Sequence, residues 1–263
     1  MKKALSLFLA AISFAFTLYG WQGSLNGTQV EHVYPSAIEE KGGTQVHFSA
    51  KNQSESFNQN TDDPRQIIKS ALNQLPIEHV NQLKNLVIDY NPKAHRGFGG
   101  KNVMIIRGVA MSQQELIGVL IHEMGHLVDL GLMKERDQSV KSNFMDFDVP
   151  VFESDPSLDF YRISWKNEHE RKRNATNEDF VSGYSMSNPF EEFAETYVYY
   201  VLHQKEFLAQ ARRSSVLAKK YKYMKDIVFK GEIFETGNVR AITKNQPWDI
   251  TVLAYDTNTF LTE

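Results

Sequence analysis

Two histidines four residues apart, with a glutamate directly after the first, are the residues of this chain whose types and spacing point most clearly to chemistry. The stretch is His122-Glu123-Met124-Gly125-His126, and it lies in an apolar run of helix-forming residues. Side chains four apart on a helix project from one face, so both imidazoles can reach a single metal ion. Glu123 lies beside them, where a carboxylate can accept a proton from water at the metal. The pattern predicts a zinc hydrolase site.

A second group of candidate residues lies on a later predicted helix. Asn188 is a typical N-cap and Pro189 suits the first helical turn. Glu191 and Glu195 then lie one turn apart, at the border of the apolar face. They need partners there, because an unpaired buried charge is costly, and a metal ion or the free N–H of a ligand histidine would serve. Glu192 stays open as the alternative ligand, although its position on the helical wheel directs it toward water.

The residues after the second histidine exclude one class of zinc hydrolase. The metzincin pattern requires glycine at position 129 and histidine at position 132, and the chain has Asp129 and Leu132 there. Asp129 lies one further helical turn beyond His126, away from the metal. We expect it to anchor a neighbouring loop or histidine.

With these motifs, the chain resembles the gluzincin metallopeptidases, and within them the branch of the anthrax lethal factor catalytic domain and the secreted Pro-Pro endopeptidases. In that branch a tyrosine stands seven residues before the ligand glutamate, which opens a Glu-x-Phe-Ala-Glu string. Tyr184 and the run from Glu191 to Glu195 occupy these positions here. The resemblance covers roughly residues 64–205 and rests on motifs rather than on whole-chain similarity. A longer insertion between His126 and Tyr184 departs from the pattern and leaves the substrate preference open.

The resemblance implies roles for these residues. His122, His126 and Glu191 would hold Zn²⁺ and leave one position open. Glu123 would be the general base, and Tyr184 would donate a hydrogen bond to the developing oxyanion. An ordinary packing role for Tyr184 is the alternative.

Two further expectations follow from the same resemblance. Glu195 would orient a ligand histidine through its second ring nitrogen. A peptide or protein substrate would pair in extended form with strand 102–107, at an edge of the sheet.

The helices and strands that the sequence pattern indicates around these residues predict an α+β fold with a zincin-like catalytic domain. A helix begins near Pro64, apolar runs ending near residue 90 and at 102–107 indicate strands, and Ser112 with Glu115 forms a capping box before the metal helix. We expect a small, mostly antiparallel sheet packed on that helix and on further helices.

Two glycines on the metal helix predict close packing. Gly118 and Gly125 are seven residues apart and share one strip of the helix. Glycine within a helix costs up to about 1 kcal/mol relative to alanine. Their presence therefore indicates that another backbone approaches the helix there.

Two later segments carry charge without a recognisable site. Residues 134–179 are acidic and irregular but lack the spacing of an EF-hand, so we expect a solvated loop that could cover the substrate. The pattern at residues 202–229 predicts helices, with a solvated lysine-rich face over a core-facing stripe formed by Leu217, Tyr221, Met224 and Val228. The remaining tail, which has strand-like apolar pieces, receives no function.

The first twenty residues differ in kind from the rest. Lys2 and Lys3 precede an apolar stretch from Ala4 to Leu18, which is typical of a secretory signal peptide and shorter than a membrane-spanning helix. We expect a signal peptide at 1–20, a polar extension at 21–63 and the metallopeptidase domain at 64–263. The protein would be exported, to the periplasm or the medium, with no stable membrane insertion after signal removal.

Composition narrows the function classes. The formal net charge is −3, and removal of the leader would make it more negative, which argues against nucleic acid as a partner. The chain has no cysteine, so a disulfide framework and a lipid-attachment cysteine are excluded. Two classes remain: an exported zinc endopeptidase, and a non-catalytic extracytoplasmic zincin-fold binding protein with a structural zinc. Glu123 favours the first, because a structural site does not need it.

Overall fold

The computed structural model describes residues 45–49, 64–89, 96–100, 102–107, 111–133, 137–236 and 246–262. All of them fall within one compact unit, residues 33–263. The predicted signal peptide at 1–20 lies outside the described residues, and so does the predicted extension at 21–63 apart from 45–49.

Four strands form the main sheet: β1 (Gln45–Ser49), β2 (Asn85–Asp89), β3 (Gly97–Gly99) and β4 (Val103–Arg107). Their spatial order is β1-β2-β4-β3. β1 pairs with β2 and β2 with β4 in parallel, and only β3 is antiparallel to its neighbour β4. The expectation of a mostly antiparallel sheet is therefore wrong. Two helices, α1 (Pro64–Asn73) and α2 (Ile77–Val80), lie in the connection between β1 and β2, and such a crossover is what parallel pairing requires.

The sheet begins earlier in the chain than the predicted domain boundary at 64. β1 falls inside the segment expected to be a polar extension, yet it pairs along its whole length with β2, from Gln45 opposite Asn85 to Ser49 opposite Asp89. The folded domain therefore includes residues before the first helix.

Strand 102–107 is not at an edge of the sheet, as expected for substrate pairing. β4 lies between β2 and β3 and pairs with both. The short, glycine-rich strand β3 was not predicted from the sequence. It occupies the edge instead.

The two helices that carry the candidate residues begin as predicted. Ser112 caps α3 (Gln113–Leu127), accepting a hydrogen bond from the backbone N–H of Glu115 at 3.1 Å. Asn188 caps α5 (Pro189–Leu202), accepting one from the backbone N–H of Glu191 at 2.8 Å. A π-helical turn, Val128–Leu132, continues α3. Both predicted helix starts are confirmed, because capping is a local interaction that the sequence shows directly.

The close approach predicted at the two helical glycines is also confirmed, with a different partner at each. A Cβ built on Gly125 would lie 2.9 Å from the Cα of Ala194 on α5. A Cβ built on Gly118 would lie 2.5 Å from the carbonyl oxygen of Thr251, in the C-terminal segment. α3 is therefore packed backbone against backbone on two sides.

The charged segment after α3 is folded rather than a solvated loop. It forms a hairpin, β5 (Lys141–Asp146) with β6 (Val149–Phe152), followed by α4 (Ser157–Ser164). Its aromatic residues anchor it in the core, where four are almost completely buried: Phe144, Phe160, Tyr161 and Trp165. Burial of these aromatic side chains stabilises the folded segment despite its many charges, since each one removes a large apolar area from water.

The remaining helices are α6 (Gln204–Ala211), α7 (Ser215–Tyr223) with a π-helical turn at Met224–Val228, and α8 (Thr257–Thr262). Leu217, Met224 and Val228 are buried as predicted, and Tyr221 packs against the core. No helix in the described part of the chain combines the length and apolarity needed to cross a membrane.

Candidate active site

The packing of α5 on α3 brings three of the predicted residues together. His122 and His126 project from α3, and Glu191 projects from the first turn of α5. Glu191 Oε2 lies 3.3 Å from His122 Nε2 and 3.4 Å from His126 Nε2. One ligand atom from each of the three side chains lies within 4.8 Å of the other two. Such a triangle of two imidazoles and one carboxylate is the size of a metal coordination shell.

The chemistry of this donor set fits Zn²⁺. Glu191 Oε2 is buried and receives no hydrogen bond from the part of the chain that the structure describes. Burying a carboxylate oxygen without a hydrogen-bond donor costs free energy, and a cation bound to this atom would offset that cost. Burial raises the pKa of Glu191, but the neighbouring His126 and His122 outweigh it and hold the pKa well below its usual value. The carboxylate is therefore ionised and ready to bind a metal.

Glu195 holds the other face of the first histidine. Its Oε1 lies 2.9 Å from His122 Nδ1, which leaves Nε2 for the metal. Its Oε2 accepts hydrogen bonds from the Ser182 hydroxyl at 2.5 Å and from the backbone N–H of Ile250 at 3.0 Å. A carboxylate fixed in this way sets the tautomer and the ring orientation of a ligand histidine.

Glu123 is buried against the edge strand. A Cβ built on Gly97 would lie 2.2 Å from Glu123 Oε1, and one built on Gly99 would lie 2.6 Å from the Glu123 carbonyl oxygen. Glycine at both positions lets β3 run directly over the carboxylate. Burial raises the pKa of Glu123, although His122 and His126 oppose the shift. A raised pKa makes the carboxylate a better proton acceptor, as a general base requires.

Tyr184 reaches the site from a 3-10 turn, Tyr184–Met186, just before α5. Its ring lies 6.0 Å from that of His122, centroid to centroid, at an interplanar angle of 27°. Burial and the nearby Glu191 raise the pKa of Tyr184 above its usual value. The phenol therefore keeps its proton and can act as a hydrogen-bond donor.

Asp129 anchors a neighbouring helix, rather than the loop or histidine that was expected. The Tyr161 hydroxyl on α4 donates a hydrogen bond to Asp129 Oδ2 at 2.6 Å. Burial raises the pKa of Asp129 to about 7, with the nearby Ser157 and the hydrogen bond from Tyr161 opposing the shift. Asp129 therefore ties the helix beyond the metal site to α4.

Glu192 is neither a ligand nor directed toward water. It is fully buried on α5, forms an ion pair with Lys220 of α7 and accepts a hydrogen bond from Trp165 Nε1 at 2.6 Å. Lys220 is fully buried too, so the expected solvated lysine face does not include it. The helical-wheel argument failed because α5 is covered on its second face by α4 and α7.

The cleft in front of these residues is lined by two further segments of the chain. Arg96 and Gly97 belong to one of them, and Trp248, Asp249 and Thr251 of the C-terminal segment belong to the other. The glycines at 97 and 99 and the charged Arg96 beside them were the local signals for the first of these segments. Nothing in the tail distinguished the second, because its proximity to α3 depends entirely on tertiary folding.

Comparison with known proteins identifies the family. The profile of a family described as "Putative zinc-binding metallo-peptidase" matches residues 107–248, which is more than half of the chain. The matched region contains all six predicted site residues. No curated protein and no solved structure matches the chain. On the strength of this profile match, the chain belongs to this family of zinc-binding metallopeptidases, and its cofactor is Zn²⁺.

Proposed function

We propose that the protein is an exported zinc metalloendopeptidase of the gluzincin type, in the branch of the anthrax lethal factor catalytic domain and the secreted Pro-Pro endopeptidases. The observation that carries the proposal is the triangle of His122, His126 and Glu191, drawn from two helices, with Glu123 and Tyr184 beside it. The family match supports the peptidase activity in general. The order and spacing of these residues support the finer assignment.

In the proposed mechanism, His122, His126 and Glu191 hold the zinc ion. Zinc at such a site supplies a Lewis acid that polarises a carbonyl group and lowers the pKa of water. Glu195 keeps the His122 ring turned toward the ion through the contact at Nδ1.

Glu123 and Tyr184 move and hold the protons. Glu123 takes a proton from the attacking water and then delivers it to the nitrogen of the leaving amine. Tyr184, which stays protonated, donates a hydrogen bond to the peptide carbonyl oxygen as negative charge develops on it.

The substrate in this proposal is a peptide bound in extended form along β3. Of the described strands, β3 is the one that forms the sheet edge nearest to Glu123, and its glycines bring the backbone against that carboxylate. Backbone N–H and C=O groups at a sheet edge can pair with a peptide whatever its side chains are. This assigns to β3 the role that we expected of strand 102–107.

The competing class is a non-catalytic binding protein with a structural zinc. Structural zinc sites have four protein ligands, whereas the described residues supply three donor atoms at this site. A structural site also needs no buried carboxylate such as Glu123 next to the ligands. Both features favour the enzyme. Export is proposed from the basic and apolar leader at 1–20.

The test is the variant Glu123→Gln, studied together with its zinc content. We expect peptide hydrolysis to fall by about 10²–10⁴-fold, because the general base is removed, while one zinc per chain is retained. Glu170→Gln, which changes an exposed glutamate in the same way, is the matched control and should leave both unchanged. Undiminished hydrolysis by Glu123→Gln would refute the mechanism, and loss of zinc would show that Glu123 is a ligand instead.

A further inference from the structure

A tryptophan at the mouth of the cleft is exposed where aromatic side chains are normally covered. Trp248 lines the same cleft as His122, Glu123 and Tyr184, and 71% of its surface is accessible to solvent. Trp165, by comparison, is 2% exposed. An exposed indole in a cleft is an apolar surface that a ligand can cover.

The backbone around Trp248 is held firmly against the turn that carries Tyr184. The N–H of Gly183 donates a hydrogen bond to the carbonyl of Pro247 at 2.8 Å, and the N–H of Tyr184 donates one to the carbonyl of Trp248 at 2.7 Å. One part of the indole lies on Gly183, where a Cβ would come within 2.5 Å of the ring. The ring centroids of Tyr184 and Trp248 are 6.5 Å apart.

The following residues fix the same segment to the rest of the site. Asp249 forms an ion pair with Arg96, which also lines the cleft, and the N–H of Ile250 donates a hydrogen bond to Glu195. Glu195 in turn contacts the ligand histidine His122. The Trp248 ring is therefore positioned relative to the metal site before any substrate binds.

We propose that Trp248 forms a specificity subsite that takes a bulky apolar side chain, aliphatic or aromatic, of the peptide substrate next to the scissile bond. This inference rests on the proposed function, since it assigns a substrate class to the same cleft. The occupant is the substrate itself, because the indole continues the wall that Tyr184 and Glu123 begin. A side chain placed there covers the exposed face of the indole and removes apolar surface from water.

The charges nearby disfavour an acidic side chain in this subsite. Arg96 is the one arginine or lysine among the described residues lining the cleft, and it is paired with both Glu115 and Asp249. Two carboxylates around one guanidinium give these three side chains a negative net charge, and one of them, Asp249, directly follows Trp248 in the chain. An aspartate or glutamate of the substrate at Trp248 would therefore meet the excess carboxylate, with no unpaired arginine or lysine among the described residues that line the cleft.

The test compares peptides that differ at one position beside the cleaved bond and carry Leu, Phe, Ala or Asp there. For the unaltered protein we expect kcat/KM to be highest with Leu or Phe and lowest with Asp. Trp248→Ala should lower kcat/KM for the Leu and Phe peptides by at least about tenfold and change the Ala peptide little. Trp248→Phe keeps a flat ring and should preserve the order. Ile233→Ala, an exposed apolar residue outside the cleft, is the control. Identical profiles for Trp248→Ala and the unaltered protein would overturn the subsite.

Binding separates this inference from the proposed function. The same peptides, labelled with fluorescein, are titrated by anisotropy against zinc-loaded Glu123→Gln protein with and without Trp248→Ala. Tighter binding of Leu and Phe peptides that Trp248→Ala abolishes supports the subsite, even if the unaltered protein hydrolyses none of them. Binding that is absent, or equal with and without Trp248, overturns it whatever the hydrolysis shows.

Discussion

Tyr184 shows how a single residue is placed by a short turn rather than by a long element. Within the turn, the N–H of Ser185 donates a hydrogen bond to the Ser182 hydroxyl at 3.0 Å, and that hydroxyl donates to Glu195. The same carboxylate contacts His122. The turn that carries Tyr184 and the imidazole ring of His122 are thus both hydrogen-bonded, directly or through Ser182, to one buried carboxylate.

The variant Tyr184→Phe removes the phenol hydroxyl and keeps the ring. We expect kcat to fall by about 10²–10³-fold, the usual effect of losing one oxyanion donor, with zinc content and thermal unfolding little changed. Steady-state kinetics with metal analysis checks this. Tyr221→Phe, at a half-buried tyrosine that does not line the cleft, is the control. A packing tyrosine would give the opposite result, which is full kcat with reduced stability.

At the scale of elements, the site depends on the distance between α3 and α5. His122 and His126 belong to the first helix, and Glu191 belongs to the second. Gly125 lies between the two histidines and faces the backbone of Ala194. Any side chain at position 125 must push α5, and Glu191 with it, away from the histidines.

The variant Gly125→Ala tests this packing. Alanine favours a helix over glycine by up to about 1 kcal/mol, but overpacking typically costs about 1–3 kcal/mol, so we expect a net loss of stability. Zinc affinity should fall as well, because the ligands separate. Denaturant unfolding and competition with a chelator measure the two effects.

Gly100→Ala is the control for Gly125→Ala, because a Cβ there would have only ordinary contacts, the nearest at 3.6 Å. Equal stability and equal zinc affinity for Gly125→Ala and the unaltered protein would contradict the packing argument.

At the scale of the whole molecule, two buried histidines outside the cluster of His122, His126 and Glu191 should make the fold sensitive to acid. The Tyr197 hydroxyl lies 2.8 Å from His79 Nδ1, and His79 Nε2 lies 3.0 Å from the Val228 carbonyl, so Nε2 carries the proton of the neutral ring. His203 is 3% exposed. Burial lowers the pKa of His79 to about 4 and the pKa of His203 to about 4.

These lowered values determine the sign of the pH dependence. The unfolded chain takes up a proton on each histidine near pH 6.5, and the folded chain does so only near pH 4. The stabilisation is therefore fully present above about pH 6.5 and is lost as the pH falls to about 4. At 1.36 kcal/mol per pH unit, each histidine contributes roughly 3 kcal/mol to the loss.

Urea unfolding of metal-free protein between pH 7 and pH 4 measures this loss. We expect His79→Gln and His203→Gln each to flatten the slope of unfolding free energy against pH, whatever they do to stability at pH 7. His169→Gln, at an exposed histidine, should keep the slope of the unaltered protein. A slope that neither buried-site variant changes would rule out these two residues as its origin.

The features that depend on short-range geometry could be predicted from the sequence. The helical period places His122 and His126 on one face, Ser112 and Asn188 cap their helices, and Gly118 with Gly125 indicates a close neighbour. Each of these follows from interactions within about two helical turns, so a local pattern contains the information.

Which surfaces pack against each other depends on contacts between segments far apart in the chain, and these are visible in the tertiary structure alone. The helical wheel gives the direction of the Glu192 side chain on α5, but it cannot show that Lys220 packs against that side of the helix. Because Lys220 lies there, Glu192 is buried instead of facing water. Strand identity was visible at 102–107, but its place inside the sheet depended on β3. Trp248 reaches the cleft from a segment about 120 residues beyond the metal helix, and no local pattern records such a contact. The residues that cluster at the candidate zinc site could therefore be predicted from the sequence, whereas the contribution of the C-terminal segment to the cleft could not.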